Sequence, residues 1–266
     1  MYGLFVNRMI QMVITLFIVS MIVFFMVRLK GDPISVMAPP TFNTEQIARL
    51  REAWGFDKPL LEQYTIFITK AITGDFGQSI QARRPAMELV MERLGNTYLL
   101  ASCAALLGLV LALPLGVMSA VRRNSLIDVV SSAFAALGNA MPNFWLGLML
   151  IIVFSVNLRI LPAFGALEPA AFIMPSITLA VGTAARLSRV TRSAMLEVMN
   201  QDYIRTAYSK GLSNRFVLIK HALRNALIPI VTVFGLQLGW LLGGSVVVES
   251  VFSWPGLGRL MIESIN

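Results

Sequence analysis

The chain has 266 residues, of which 56% are hydrophobic and 14% charged, and its mean hydropathy is +0.72. A soluble domain carries about 25% charged residues, so this composition excludes an ordinary soluble fold and points to a membrane protein. The net charge of +8 is read first as membrane topology, with no nucleic-acid partner expected.

In chain order, residues 9–27 form the first apolar run long enough to cross a bilayer, which takes roughly 20 residues. Its apolar core exceeds the ~7–15 residues of a signal peptide and no small-residue cleavage site follows, so an uncleaved anchor is expected. The loop over residues 28–97 predicts a small helical cap. Thr44 caps a helix through Trp54 with Gly55 as its stop, Pro59 starts a second helix ending at Gly74, and Pro85 starts a third with Met87, Val90, Met91 and Leu94 on one side.

A second span is expected over residues 98–120. There Ala104, Gly108, Ala112, Gly116 and Ala120 recur every fourth residue, the pattern by which helices approach closely in lipid. A third span, 129–156, is interrupted at Gly138, Asn139, Ala140, Met141, Pro142 and Asn143. Proline lacks a donor and clashes with the preceding turn. Non-helical backbone at membrane depth persists only where protein or a water-filled cavity satisfies it, so a kink beside a transport pathway is expected, with a purely structural kink as the alternative. The fourth span, 170–185, is short, and its helix is expected to leave the membrane past Arg186. The last, 229–248, repeats the small-residue device with Gly235, Gly239 and Gly243.

Arg122 and Arg123 follow the second span, and eight Lys/Arg lie between Arg186 and Arg224, against Arg159 alone in the loop between the third and fourth spans. By the positive-inside rule both basic loops face the cytoplasm, which places the N-terminus inside and the first long loop outside. That loop carries nine Lys/Arg and eight Asp/Glu, but loops beyond about 60 residues translocate largely regardless of charge.

Several chemistries are missing. No glycine-rich phosphate loop ending in Gly-Lys-Ser/Thr occurs, since the pair Lys210-Gly211 runs in the reverse order. His221 is the single histidine and has no carboxylate pair near it in sequence. Cys103 is the single cysteine, which excludes an intrachain disulfide and a cysteine metal cluster. No catalytic residue, metal site or bound cofactor is therefore expected. Within the spans Glu249 stands as the only ionisable candidate, which weakens a transporter driven by an ion gradient. A conduit without its own engine needs energy from a partner.

The surface suited to receive it lies between the last two spans. From Ala184 one helix is expected to run through Arg186, Arg189 and Arg192 to about Tyr208, where Gly211 ends or turns it. Ser213 is expected to cap a second segment through Phe216, Leu218 and Ile219 to Ala226, and Pro229 to start the last span. The result is a knuckle whose exposed tip runs from Tyr203 to Leu212. The alternative is a basic loop tethered to lipid headgroups, at about 1 kcal/mol per basic residue.

These residues resemble the cytoplasmic loop of the membrane subunits of binding-protein-dependent ABC importers, in the dipeptide/oligopeptide/nickel branch. The resemblance covers nearly the whole chain. It includes Gly31-Asp32-Pro33, Gly55-Phe56-Asp57-Lys58-Pro59, Gln63-Tyr64, Gly74-Asp75-Phe76-Gly77 with Ser79, Met141-Pro142-Asn143-Phe144-Trp145, Leu161-Pro162 and Gly243-Gly244. It closes on Glu249-Ser250-Val251-Phe252-Ser253-Trp254-Pro255-Gly256-Leu257-Gly258.

The resemblance implies an all-α polytopic bundle of the type I importer kind and a coupling helix that docks on a separate ATPase. The matching positions are Tyr203, Arg205, Thr206, Ala207, Lys210, Gly211 and Leu212. The glutamate that names the family's loop motif is absent, with Arg205-Thr206-Ala207 near its place. The implied partners are a homologous second permease, two ABC ATPase subunits that use ATP and magnesium, an extracytoplasmic solute-binding protein and membrane lipid. Peptide is the expected cargo, with nickel, glutathione or another small solute as alternatives. A secondary transporter or a lipid-bound scaffold is the alternative function.

The expected organisation is an anchor (1–28), an extracytoplasmic helical loop (29–97) and a core permease domain (98–266) with its coupling loop at about 186–226. Gly138, Met141, Pro142 and Asn143 are the pathway candidates. Five spans are present, and the family pattern adds a sixth after the Trp-Pro-Gly-Leu-Gly segment, so an incomplete chain is expected.

Overall fold

A computed structural model describes residues 2–29, 43–53, 55–79, 81–166 and 168–265. Every regular element among them is helical. Four helices are long and apolar enough to cross a membrane, and a strongly bent pair makes a fifth candidate. By compactness the chain falls into two units, residues 1–89 and 90–266, whereas the three-part division expected from sequence is one of topology across a membrane. Gly31-Asp32-Pro33 and Trp54 lie outside the described residues.

In the first unit α1 (Tyr2–Leu29) is joined by α2 (Thr44–Ala53) and α3 (Leu60–Ile72). The cap of α2 is one residue earlier than expected. Asn43 Oδ1 accepts from Gln46 N at 2.8 Å and Asn43 N donates to Gln46 Oε1 at 2.9 Å, a reciprocal box that leaves Thr44 inside the helix. Gly55 stops α2 in the left-handed region at φ +68°, where Cβ would be strained.

Tyr64 anchors α3 on α1. Its hydroxyl lies 2.9 Å from Ser20 Oγ, and its ring meets Phe17, Phe24, Phe25 and Phe67. Gln63 Nε2 donates to the carbonyls of Phe56 and Lys58, tying down the turn that enters the helix.

Pro85 precedes α4 (Ala86–Val121), which runs unbroken into the second span rather than ending as a third loop helix. The second unit contains the rest of α4, then α5 (Leu126–Ala140), α6 (Asn143–Asn157), which turns π-helical from Ile151, and α7 (Ile173–Met199). It continues with α8 (Asp202–Ser209), α9 (Asn214–Val251), π-helical over Val217–Leu223, and α10 (Leu257–Ile265).

At the centre lies α7. The small-residue stripe of α4 is buried along its whole length, and α7 is what it meets. A methyl on Gly108 would stand 2.9 Å from Thr183 Cβ, and one on Gly116 would stand 2.5 Å from Thr191 Cβ. The helices are therefore close enough that only glycine fits. Gly138 of α5 plays the same part against Val181 and Ala185. The stripe on α9 behaves differently, because Gly235, Gly239 and Gly243 are exposed and have nothing within 4 Å of an added Cβ.

Three expectations about helix ends are corrected. The helix through Arg186 does not reach Tyr208 but stops at Met199, leaving Asn200 and Gln201 as a break before α8. Ser213 precedes α9 without a side-chain cap bond, and Pro229 lies inside α9 instead of starting it. The interruption in the third span is no gentle kink. Met141 and Pro142 are both extended, and α5 and α6 meet at 104°, because proline both removes a donor and biases its predecessor away from the helical region.

Candidate functional site

The knuckle between α7 and α9 is built from α8. This helix of 8 residues is too short to stand alone in water, so packing must hold it. Ile204 and Ala207, three residues apart and hence on one face, are 2% and 6% exposed. They join a cluster with Ala120 of α4, Ala194 and Met195 of α7, and Val217, Ala222, Ala226 and Ile230 of α9. The knuckle is thereby fastened to three membrane-crossing helices.

The opposite face carries Tyr203, Arg205, Thr206 and Tyr208, all exposed, with Lys210 beyond the C-terminus. Tyr203 Oη accepts from Asn225 Nδ2 at 3.1 Å, and Tyr208 Oη donates to Asn214 Oδ1 at 2.8 Å, so both rings are pinned toward α9. Arg205 pairs loosely with Asp202 at 3.6 Å and remains available.

Gly211 closes the helix at φ +76°. Its N–H reaches the Tyr208 carbonyl at 2.9 Å, and Leu212 N–H reaches that of Ala207 at 3.4 Å, the terminal pattern that favours glycine. Nothing lies within 4 Å of an added Cβ there. Backbone conformation rather than crowding selects the residue. All seven candidate residues, Tyr203, Arg205, Thr206, Ala207, Lys210, Gly211 and Leu212, thus fall on one compact element, but Ala207 faces inward and Leu212 is half-buried.

The second candidate set lies where α5 breaks. Gly138 is buried against α7, Met141 and Asn143 are half-buried, and Pro142 is exposed. Beside this break stands Arg186, which sequence reasoning placed at the exit of the span. It is the midpoint of α7, level with Gln237 and Trp240 in the middle of the apolar run of α9. Its Nε donates to Asn139 Oδ1 at 3.2 Å, its Nη1 donates to Gln237 Oε1 at 3.2 Å, and its guanidinium lies 4.6 Å from the Trp240 ring centroid. Reading 170–185 as a whole span hid it. An arginine followed by thirteen more helical residues was the available signal.

Two further polar knots went unseen. Asp128, 5% exposed, is gripped by Arg192, with Nε to Oδ1 at 2.7 Å and Nη2 to Oδ2 at 2.8 Å. It also accepts from Ser119 Oγ and from Asn124 N. The α4–α5 turn is thus tied to α7 close to the knuckle. Glu249, fully buried, accepts from Thr97 Oγ1 at 2.8 Å, Ser245 Oγ at 3.0 Å and Arg259 N at 3.1 Å. Leu257 N donates to Thr97 Oγ1 at 2.8 Å and Trp254 Nε1 to the Asn96 carbonyl at 3.2 Å, so the turn before α10 is folded around this carboxylate.

A bundle of membrane-crossing helices, with a broken span packed on its central helix and a short packed helix between its last two spans, is the architecture of the transmembrane subunit of a transport system. The chain belongs to the binding-protein-dependent transport system inner membrane components, whose description it matches over residues 112–266, with the N-terminal domain of that family matched over 1–101.

It is 43% identical over 262 residues to the glutathione transport system permease protein GsiC of Escherichia coli strain K12, covering 98% of this chain and 86% of that protein. The protein of the same name from Shigella dysenteriae serotype 1 is equally similar, with the same coverage. Among solved structures, the MetNI methionine ABC transporter in an inward-facing conformation superposes with a TM-score of 0.55 at 23% identity, over 66% of this chain and 80% of that one. An amino acid ABC transporter gives 0.51 at 20% identity, over 67% and 79%. At these identities the likeness concerns the fold. The chain is a multi-pass inner-membrane permease subunit of an ABC importer, a component of its translocation pathway.

Proposed function

We propose that this permease carries a short peptide-like solute, with glutathione as the leading example, inward across the membrane, and that α8 is the element through which ATP hydrolysis drives it. The peptide class follows from the 43% identity to glutathione permeases. The observation that carries the coupling role is the build of α8. It is a separate helix, packed by Ile204 and Ala207 onto three spans, that offers Tyr203, Arg205, Thr206 and Lys210 outward. A rigid lever of this kind converts a push on its outer face into rocking of α4, α7 and α9.

In this reading the tip inserts into a cleft of an ABC ATPase subunit that holds the ATP and magnesium, while this chain performs no covalent chemistry. Two such ATPases serve a pair of permeases. The open stripe of Gly235, Gly239 and Gly243 on α9 supports a homologous second permease as the other half, since glycines at this spacing admit close helix approach. An extracytoplasmic binding protein delivers solute on the outer side. The basic loops support a cytoplasmic location for α8 and for the N-terminus.

Gly211→Val tests the coupling. A β-branched residue is excluded from the left-handed conformation, so the helix end must reorganise although space is free. ATP-dependent uptake into proteoliposomes holding the assembled importer should fall at least tenfold, with permease insertion unchanged. Undiminished uptake by this variant would remove α8 from the coupling route.

A further inference from the structure

Arg186 is a cation at the middle of a membrane helix with no carboxylate to neutralise it. Among the described residues no Asp or Glu oxygen lies within 4.0 Å of it, and its partners there, Asn139, Gln237 and Trp240, are all neutral. A charge at membrane depth is costly and persists where it faces a protein interior or an aqueous cavity, in a functional role. The guanidinium offers five N–H donors. Nε and one N–H of Nη1 are taken, and Nη2 makes no hydrogen bond among the described residues.

A second observation points the same way. Gln237 is 6% exposed, and its Nε2 is buried without a hydrogen-bond partner. The orientation of that amide is set, because Oε1 already accepts from Arg186. An unsatisfied buried donor beside a guanidinium without a carboxylate partner is an arrangement that an acceptor-rich, negatively charged group completes.

The surroundings fit a passing solute rather than a static pair. Asn139 lies in the last turn of α5, two residues before the extended Met141, so the cation is held by the helix end at which the span breaks. One turn further along α7, at the i,i+3 position that shares its face, stands Arg189. It is exposed and makes no hydrogen bond or ion pair among the described residues. Arg192 another turn on is already occupied by Asp128. Two guanidiniums without a carboxylate partner among the described residues thus run from mid-span toward the end of α7 that precedes α8.

We propose that Arg186 and the Gln237 amide form a carboxylate-binding site in the solute pathway, with Asn139 and Trp240 as positioning residues. The site takes the C-terminal carboxylate of a peptide-like solute in bidentate fashion, and Arg189 receives it next. This rests on the peptide-importer reading and sharpens it, because it makes the terminal carboxylate a requirement of the permease.

The test uses the full transporter complex in lipid nanodiscs without nucleotide, with N-acetyl-dialanine and its C-terminal amide as probes. Binding is read by isothermal titration calorimetry on the wild type and on each variant. The free acid should bind at least tenfold more tightly than the amide. R186Q should erase that preference and R186K retain part of it. Q237E places an internal carboxylate on the guanidinium and should weaken free-acid binding at least tenfold. Should R186Q fail to assemble, Q237E decides, since it keeps the arginine paired.

Equal affinity for acid and amide in the wild type, or a preference that survives R186Q or Q237E, would overturn the site. A separate uptake measurement on the wild type guards the underlying reading. Uptake that ignores ATP would sink the importer role while leaving the acid-against-amide comparison intact.

Discussion

Both carboxylate oxygens of Asp128 are held by the one guanidinium of Arg192, at 2.7 and 2.8 Å, across 64 positions of sequence. This fork ties the turn between α4 and α5 to α7 two turns below Arg186, at the level of the cluster that holds α8. Removing one partner leaves the other charge uncompensated, whereas removing both does not. Asp128→Asn and Arg192→Gln should each lower the yield of folded permease several-fold, and the double variant should be no worse than either single. A thermal-shift double-mutant cycle checks it, and simple additivity of the two changes would mean the pair is not coupled.

Two glycines of the small-residue stripes, each preceded by leucine, should behave oppositely. A methyl at Gly116 meets Thr191 Cβ at 2.5 Å and the Ser188 carbonyl at 2.6 Å, while Gly239 has open space. Gly116→Ala should therefore destabilise the chain by about 1–3 kcal/mol, the cost of overpacking. Gly239→Leu should leave the chain's own stability within about 0.5 kcal/mol and reduce pairing with a second permease at least several-fold. Unfolding in a detergent series reads the first, and inter-subunit crosslinking yield reads the second.

Glu249 organises the turn of residues 252–258. Truncation to Ala strands the Thr97 hydroxyl donor and Arg259 N, at about 1–3 kcal/mol for each buried group left unsatisfied, while Ser245 Oγ keeps the Leu242 carbonyl. Glu249→Ala should expose the turn to protease cleavage and hydrogen exchange while α8 stays protected. Gly256→Ala should do the same from the other side, since its added methyl would overlap the Glu249 carboxylate. Unchanged exchange at residues 252–258 in both variants would deny the carboxylate this role.

Most of the fold was legible because its signals are local. Span length, the four-residue stripe on α4, the break at Pro142 and the left-handed glycine at 211 each depend on a few neighbouring residues. Helix ends were less legible, because Asn200 and Gln201 carry no proline or glycine. The stop at Met199 therefore comes from the packing of Ile204 and Ala207 against three other helices rather than from local propensity.

By itself the sequence determined that the chain is a helical membrane protein without a phosphate loop, with a small-residue seam and a glycine-closed knuckle. Apolar length, donor loss at proline and backbone freedom at glycine act over one or two turns. Only the tertiary structure decided which seam is filled, the one on α4 by α7, and which is left open, the one on α9. It alone decided that Arg192 is neutralised while Arg186 meets no carboxylate among the described residues, since the Asp128–Arg192 pair joins residues 64 positions apart and leaves no trace in sequence spacing.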